Sequence, residues 1–424
     1  MVKNALSTLN LCFSQKFICF TKKTVLYETI FLIKVSLYML FSEILGLTHI
    51  KQYLTTCVDN NRIPHAQLFV GASGSGTLPM AVAYAQYILC ANTNGENNGV
   101  HNTCNLKFNH LSHPDLHFAF PVATNDIVKK HPVSDHFLES WRTFLQKTPY
   151  GSLFDWHLAI GIEKKQGQIG VDESLEMVKK LSLKSYEGGY KIMIIWMADK
   201  MNISASNKLL KLLEEPPAQT LFILITENED AILQTIQSRC QVLHFPKLSE
   251  QIIQSALLTN EQISKKEALK IAHQANGDYN KALHLLHHDG GADQFEEWII
   301  RWIRAAFKAK GNKSAINELI SWSESIASTG REIQKKFLQY CIDFFRQALV
   351  LNYGATPLLF YEPTVKGFEL KKFAPYVHGS NIESIFQEIQ KASLHIERNG
   401  NAKIIFTDLS INLTRLLHKK EKPI

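Results

Sequence analysis

The sequence predicts an α/β domain built on a parallel sheet and followed by a helical half. Three observations carry that reading. Up to about residue 246, short apolar runs alternate with amphipathic helical stretches, as βα units do. A glycine-rich turn joins one of those runs to a helix. Beyond Pro246 the strand signal fades and only helical periodicity remains.

Residues 47–58 read as a helix. Leu68-Phe69-Val70 reads as a buried strand, followed by Gly71-Ala72-Ser73-Gly74-Ser75-Gly76 and a helical run from 80 to 89. A strand, a glycine-rich turn and a helix in that order are the setting of a phosphate-binding loop. Residues 116–120 form a second strand that ends at Pro121. Residues 192–196 and 221–225 are unbroken apolar runs, as in strands covered on both faces. Residues 242–245 give a shorter fifth strand. An amphipathic helix over 202–215 stops at Pro216-Pro217. Residues 121–170, with Phe137, Trp141 and Trp156, read as a helical insertion. Core filling is its expected role, and cover for a subunit interface is the alternative.

Residues 248–288 read as three short helices, and Asp289-Gly290-Gly291 as a linker. From 292 the chain is helical. Phe295, Trp298, Ile299, Trp302, Ile303 and Phe307 share one helix face, as do Ile333, Phe337, Cys341, Phe344 and Phe345. Such stripes predict the core of a bundle, not a cofactor box.

The 424 residues suffice for two or three domains. Hydrophobic content of 45% and charged content of 20% are ordinary for a globular protein. Of the formal net charge of +7, the five lysines and Glu28 within residues 1–38 supply +4, so the remainder carries +3. That is a weak sign of a nucleic-acid partner. The apolar run over 29–41 is interrupted by Lys34 and is shorter than the roughly 20 residues of a membrane-spanning helix. No small-residue cleavage site follows it. Residues 1–38 are therefore expected to be a non-native or disordered extension upstream of a start at Met39, with a membrane-surface segment as the alternative. The seven cysteines are scattered and odd in number, which predicts a reducing cytoplasm and not a disulfide framework.

A working phosphate loop places Lys after its last glycine to reach the β/γ-phosphates, and then Ser or Thr for magnesium. Here Thr77 and Leu78 stand in those places. Gly71, Gly74, Gly76 and Thr77 thus form a degenerate nucleotide site, at which weak binding by backbone amides stays open.

Five further segments fit one family. They are 62–69 (Arg-Ile-Pro-His-Ala-Gln-Leu-Phe), 113–117 (His-Pro-Asp-Leu-His), the helix end 207–217 (Asn-Lys-Leu-Leu-Lys-Leu-Leu-Glu-Glu-Pro-Pro), Ser238-Arg239-Cys240, and 277–283 (Gly-Asp-Tyr-Asn-Lys-Ala-Leu). In this order they resemble the clamp-loader branch of the AAA+ ATPases. The resemblance implies an AAA+ module over 39–246, a small helical lid domain over 247–290 and an all-α collar or oligomerisation domain over 291–424. It carries motifs only as far as about residue 290.

The resemblance also shows what is missing. It would place the acidic residues that hold magnesium and orient water at Trp196 and Met197, and neither can do so. Asp199 lies beyond that place and is expected to cap a helix. The lid arginine falls at Asn280, and a polar sensor at Thr226. Arg239 is retained. The resemblance implies that it projects into a neighbouring subunit's ATP site as an arginine finger, with Ser238 and Cys240 in positioning and packing roles. Family members carry a four-cysteine zinc module after the loop helix. Here Cys90, His101, Cys104 and His110 are weak candidate ligands, and Lys107 stands where the family has Cys. A metal-free loop is the expectation.

These residues imply a non-catalytic clamp-loader subunit with no cofactor of its own, since neighbouring subunits would bind the ATP and magnesium. The implied partners are gamma/tau-type and delta-type subunits, the sliding clamp and primed DNA, with no membrane. An active ATPase of gamma/tau or branch-migration type is one alternative, against which Thr77, Leu78 and Trp196 count. A zinc-dependent nucleic-acid-binding module is the other. No paired-carboxylate polymerase site is legible, so any polymerase label would come from membership of a holoenzyme.

Overall fold

The computed structural model describes residues 40–90, 103–187, 189–261, 263–287, 292–309, 312–355, 359, 361 and 363–420. The extension 1–38, the linker 289–291 and His101 lie outside the described residues.

Helix α1 (Thr48–Asp59) precedes strand β1 (Ala66–Gly71), which feeds α2 (Thr77–Cys90). Helix α3 (Thr103–Asn109) leads to β2 (Leu116–Ala119). Three helices follow before β3 (Lys191–Trp196): α4 (Leu138–Lys147), α5 (Leu153–Ala159) and α6 (Val171–Ser182). Helix α7 (Ile203–Glu214), β4 (Thr220–Thr226), the single turn α8 (Gln234–Gln237) and β5 (Gln241–Phe245) complete the sheet unit. The strands run in the order β2-β3-β4-β1-β5 and every pairing is parallel. Leu68 of β1 lies level with Leu224 on one side and Val242 on the other. The glycine-rich loop therefore leaves the carboxyl edge of the sheet between two strands, where open α/β sheets bind ligands.

Strands β3 and β4 are buried along their whole length, as their unbroken apolar runs demand. Their alternate residues enter two cores. Ile192, Ile194, Leu221, Ile223 and Ile225 pack with Met80 and Tyr84 of α2. Met193, Ile195, Phe222 and Leu224 pack with Met177 and Leu181 of α6 and with Leu209 and Leu213 of α7. Strand β5 is half exposed, which explains its shorter signal.

Three helices then follow, α9 (Glu250–Glu261), α10 (Lys265–Ala275) and α11 (Tyr279–His287). Their Ile253, Leu257, Ile271 and Tyr279 belong to the same core as α2, so this unit is seated on the sheet domain. The last part comprises α12 (Ala292–Ala309), α13 (Lys313–Ala327), α14 (Arg331–Asn352), α15 (Leu370–Phe373), α16 (Ile382–Glu397) and α17 (Ala402–Leu417). It has a core of its own. Trp302 and Trp322 stack there at 4.7 Å, and Trp302 Nε1 donates to Ser410 Oγ at 2.9 Å. The two apolar stripes read from the sequence line this core. Among the described residues no helix is long and apolar enough to cross a membrane.

The insertion over 121–170 fills core and also joins units. Trp141 stacks on Phe120 at 4.2 Å and lies 5.1 Å from both Trp156 and Trp196. Trp156 Nε1 donates to Pro121 O at 2.8 Å, which satisfies its one polar atom inside the cluster. Further along, a Cβ on Gly330 would stand 2.6 Å from Glu163 O, so the insertion meets the start of α14 at backbone distance.

The cysteines correct one expectation. Cys90 at the end of α2 and Cys104 in α3 form a disulfide, with Cα atoms 5.8 Å apart. The two helices pack side by side, which brings together sulfurs that the polar insert separates in sequence. Scatter along the chain was a poor guide to distance in the fold.

Candidate functional site

Gly74 has φ +67° and Gly76 φ +96°, a backbone path that glycine adopts without strain. The path brings the loop against the helical unit behind it. A Cβ on Gly74 would stand 1.9 Å from Asp278 Oδ1. The backbone N–H of Tyr279 donates to Gly74 O at 3.3 Å. The Gly277-Asp278-Tyr279 turn at the start of α11 thus sits directly on the loop.

The insertion closes the other side. The Tyr150 ring comes within 3.2 Å of where a Cβ on Gly76 would be, and packs edge-on against Tyr279 at 5.1 Å. The N–H of Leu45 donates to Tyr150 Oη at 2.9 Å and fixes the phenol there. Trp196, Met197, Ile225 and Glu227 line the remaining wall. About 20 Å³ is left at the loop, room for a water or two. A small-molecule site needs roughly 300–1,000 Å³.

The residues present do not fit a magnesium nucleotide. Thr77 begins α2 without a charge, and Leu78 is buried. Trp196 belongs to the aromatic cluster, and Met197 follows it in a left-handed turn at φ +55°. The acids that do reach the region are unsuited to phosphate. Glu227 is exposed beside the loop, where the neighbouring charges of Asp199 and Asp278 add to the upward push on its carboxyl. Burial pushes Asp278 up to about 6, against the hydrogen bond from the backbone N–H of Lys281. A carboxyl group pressed against Gly74 opposes an anion in the cradle.

The other site residues read from the sequence are dispersed. Thr226 points to the opposite face of the sheet from Ile225. Its hydroxyl lies 3.0 Å from Asp199 Oδ1 and accepts from Asn228 N–H. It does not line the cleft. Asp199 is not a helix cap: Asn202 caps α7, accepting from Ala205 N–H at 2.8 Å, while Asp199 also pairs with Lys200 at 2.8 Å. Asn280 turns toward the insertion, donating to Asp155 Oδ2 at 2.7 Å. In the 113–117 segment, Asp115 accepts from the N–H groups of Tyr186 and Glu187 at 2.7 and 3.1 Å, anchoring the approach to β3.

The zinc candidates among the described residues do not come together as a metal site. Cys90 and Cys104 are bonded to each other and are not thiolates. His110 is exposed, and Lys107 pairs with Glu187. Among the described residues no three ligating side chains converge.

Arg239 stands apart, on a tight turn between α8 and β5. Hydrogen bonds from Arg239 N to Ile236 O (3.0 Å) and from Cys240 N to Gln237 O (3.1 Å) close that turn. The Gln237 side chain locks α8 by donating to Glu229 O and Ile232 O, both at 2.9 Å. The guanidinium is 36% exposed and pairs with Glu214 Oε1 at 2.8 Å. Ser238 Oγ donates to Thr235 O. Burial pushes the Cys240 thiol up to about 12, so at neutral pH it packs as a thiol and is no nucleophile.

Tyr150, Asp278, Glu227 and Glu214 were missed as site residues. Asp278 and Glu214 gave a signal, as members of the family-like segments 277–283 and 207–217.

A sequence model of the family described as "DNA polymerase III, delta subunit" matches residues 46–249. The chain is 27% identical over 263 residues to the DNA polymerase III subunit delta' of Bacillus subtilis, covering 62% of this chain and 66% of that protein. To the Escherichia coli subunit delta' it is 25% identical over 257 residues, 60% of this chain and 72% of that one. To the Bacillus subtilis subunit tau it is 28% identical over 251 residues, 58% of this chain and 37% of that one. The chain thus spans just under two thirds of the length of the first of these relatives. The family model and the relatives named delta' support a DNA polymerase III delta-prime clamp-loader subunit.

Proposed function

We propose that this chain is a non-catalytic delta-prime-type subunit that helps an ATP-driven clamp loader place a sliding clamp on primed DNA. Its part is to donate Arg239 to the ATP site of an adjacent gamma/tau-type subunit. The helical half over 291–424 would hold the neighbouring subunits, a delta-type subunit among them, and the complex would work in the cytoplasm.

The observation that carries this reading is a contrast between two sites of one chain. The loop of its own nucleotide site is covered by Tyr150 and the Asp278 turn and lacks the lysine and the acids. The finger residue stays at the surface on a rigid turn. A guanidinium keeps its charge and forks onto phosphate oxygens, as a finger must. Identity to the tau subunit is as high as to delta', so overall likeness does not separate an ATPase from a non-catalytic subunit. The loop chemistry favours the second.

The test is ATP turnover by the purified full chain, by the partner ATPase subunits alone, and by the reconstituted assembly with clamp and primed DNA. The expected result is no turnover by the chain and a marked gain on adding it to the assembly. Turnover by the isolated chain overturns the reading.

A further inference from the structure

Arg239 is held by two elements. Its Nη2 donates to Glu214 Oε1 at 2.8 Å, at the last residue of α7. Its Nη1 donates to Thr235 O at 2.9 Å and lies 3.5 Å from Ser238 Oγ, within α8 and its turn. A guanidinium has five N–H donors in a fixed fork. The contacts among the described residues leave Nε–H and one Nη2–H for another acceptor.

Glu214 is unexpected where it stands. Acidic side chains are disfavoured at a helix C-terminus, where the last carbonyls concentrate negative charge. Here Glu214 and Glu215 both sit there, before Pro216-Pro217 ends the helix. Stability does not account for the pair with Arg239 either. The side chains are 45% and 36% exposed, and ion pairs at the surface contribute little. What the pair does provide is orientation, because a long side chain tied at two points cannot sweep through its rotamers.

We propose that Glu214 is the positioning residue of Arg239. It holds the guanidinium so that its free N–H edge faces the phosphoryl group bound by the adjacent subunit. This inference rests on the trans role of Arg239 proposed above. Preorganised donors stabilise developing charge without reorganising during the reaction.

The experiment uses the full chain in the reconstituted assembly with clamp and primed DNA, measuring kcat and KM for ATP. Glu214→Ala is expected to lower kcat by about 10-fold to about 100-fold, the scale of a misplaced group, with KM unchanged. Glu214→Gln keeps an oxygen acceptor in place and should recover most of the rate. Combining Glu214→Ala with Arg239→Ala should be no worse than Arg239→Ala alone, since both act through one group. A wild-type rate for Glu214→Ala, with Arg239→Ala impaired, overturns this inference and leaves the trans role standing. A rate above wild type also overturns it, marking Glu214 as a competitor of the phosphate. An unimpaired Arg239→Ala overturns both.

Discussion

A single lysine would not restore this nucleotide site. Thr77→Lys returns the missing charge to the start of α2, yet the Asp278 carboxyl still rests on Gly74 and Tyr150 still covers Gly76. Trp196 and Met197 still offer no metal ligand. Thr77→Lys should therefore show no ATP turnover, and calorimetric titration with about 1 mM ATP, the weak end of ordinary binding, should detect no saturable site. The same residues set a pH dependence. Asp278 is raised to about 6, chiefly by burial. A raised carboxyl stabilises the fold while protonated, and that contribution is lost as pH rises from its unfolded value near 4 through its folded value. Two histidines act in the opposite sense. His117 and His157 are pushed down to about 4 by burial, so between about pH 4 and 6.5 stability rises with pH on their account. Asp278 and the two histidines thus oppose each other in the native profile. Asp278→Asn removes one falling contribution, so at pH 7 it should be more stable than the native chain by on the order of 1–2 kcal/mol. That gain should disappear near pH 4. Denaturant midpoints across this range measure it, and a gain that persists at pH 4 would refute the assignment.

At the scale of elements, the junction around Asp155 joins three parts of the chain. Asp155 lies near the start of α5 in the insertion. It accepts from Asn280 of α11 at 2.7 Å, lies 3.1 Å from His284 Nε2, and lies 3.8 Å from Lys336 Nζ of α14. Burial alone would raise its carboxyl. The hydrogen bond from His284, the charge of Lys336 and the Ser152 hydroxyl carry it well below the usual carboxylate range instead. Lys281 and Asp343 add a second α11–α14 pair at 2.8 Å. Removing Asp155 takes a partner from Asn280, His284 and Lys336 at once. Asp155→Ala should thus cost about 3–5 kcal/mol, with Asp155→Asn less damaging. A depressed carboxyl stabilises above its unfolded value, so the difference should shrink as pH falls below about 4. Chemical denaturation at pH 7 and pH 3 checks both parts.

The sequence made most of these elements legible, and physical range decides which. Strands β3 and β4 announced themselves because every residue is buried, and α7 because Pro216 ends it. That Thr77 and Leu78 stand where the resemblance places Lys and Ser or Thr, and Trp196 and Met197 where it places acids, was also readable. What closes the loop was not. Tyr150 and Asp278 approach Gly76 and Gly74 only through tertiary packing. Strand alternation turns Thr226 from the cleft that Ile225 and Glu227 line, a direction its place at a strand end does not reveal. The Cys90–Cys104 bond was hidden by the insert between the two helices. The insertion looked like filler, and its aromatic cluster bears that out. Its contact with Gly330 and its hold on α11 and α14 had no local pattern.

At the scale of the molecule, the parts agree on a division of labour. The sheet is parallel with its glycine-rich loop at the carboxyl edge, the insertion and the α9–α11 unit pack against that loop, and the α12–α17 bundle carries a separate core. On the proposed reading this chain runs no ATP cycle of its own, and Arg239 serves a neighbour's. The most direct test is the ATPase rate of the full assembly with clamp and primed DNA, comparing the native chain with Arg239→Ala and verifying assembly by gel filtration. A fall of about 10³-fold or more with the complex intact is the predicted result, the scale of a lost arginine finger. An unchanged rate in an intact complex would contradict it and leave Arg239 as no more than a surface partner of Glu214.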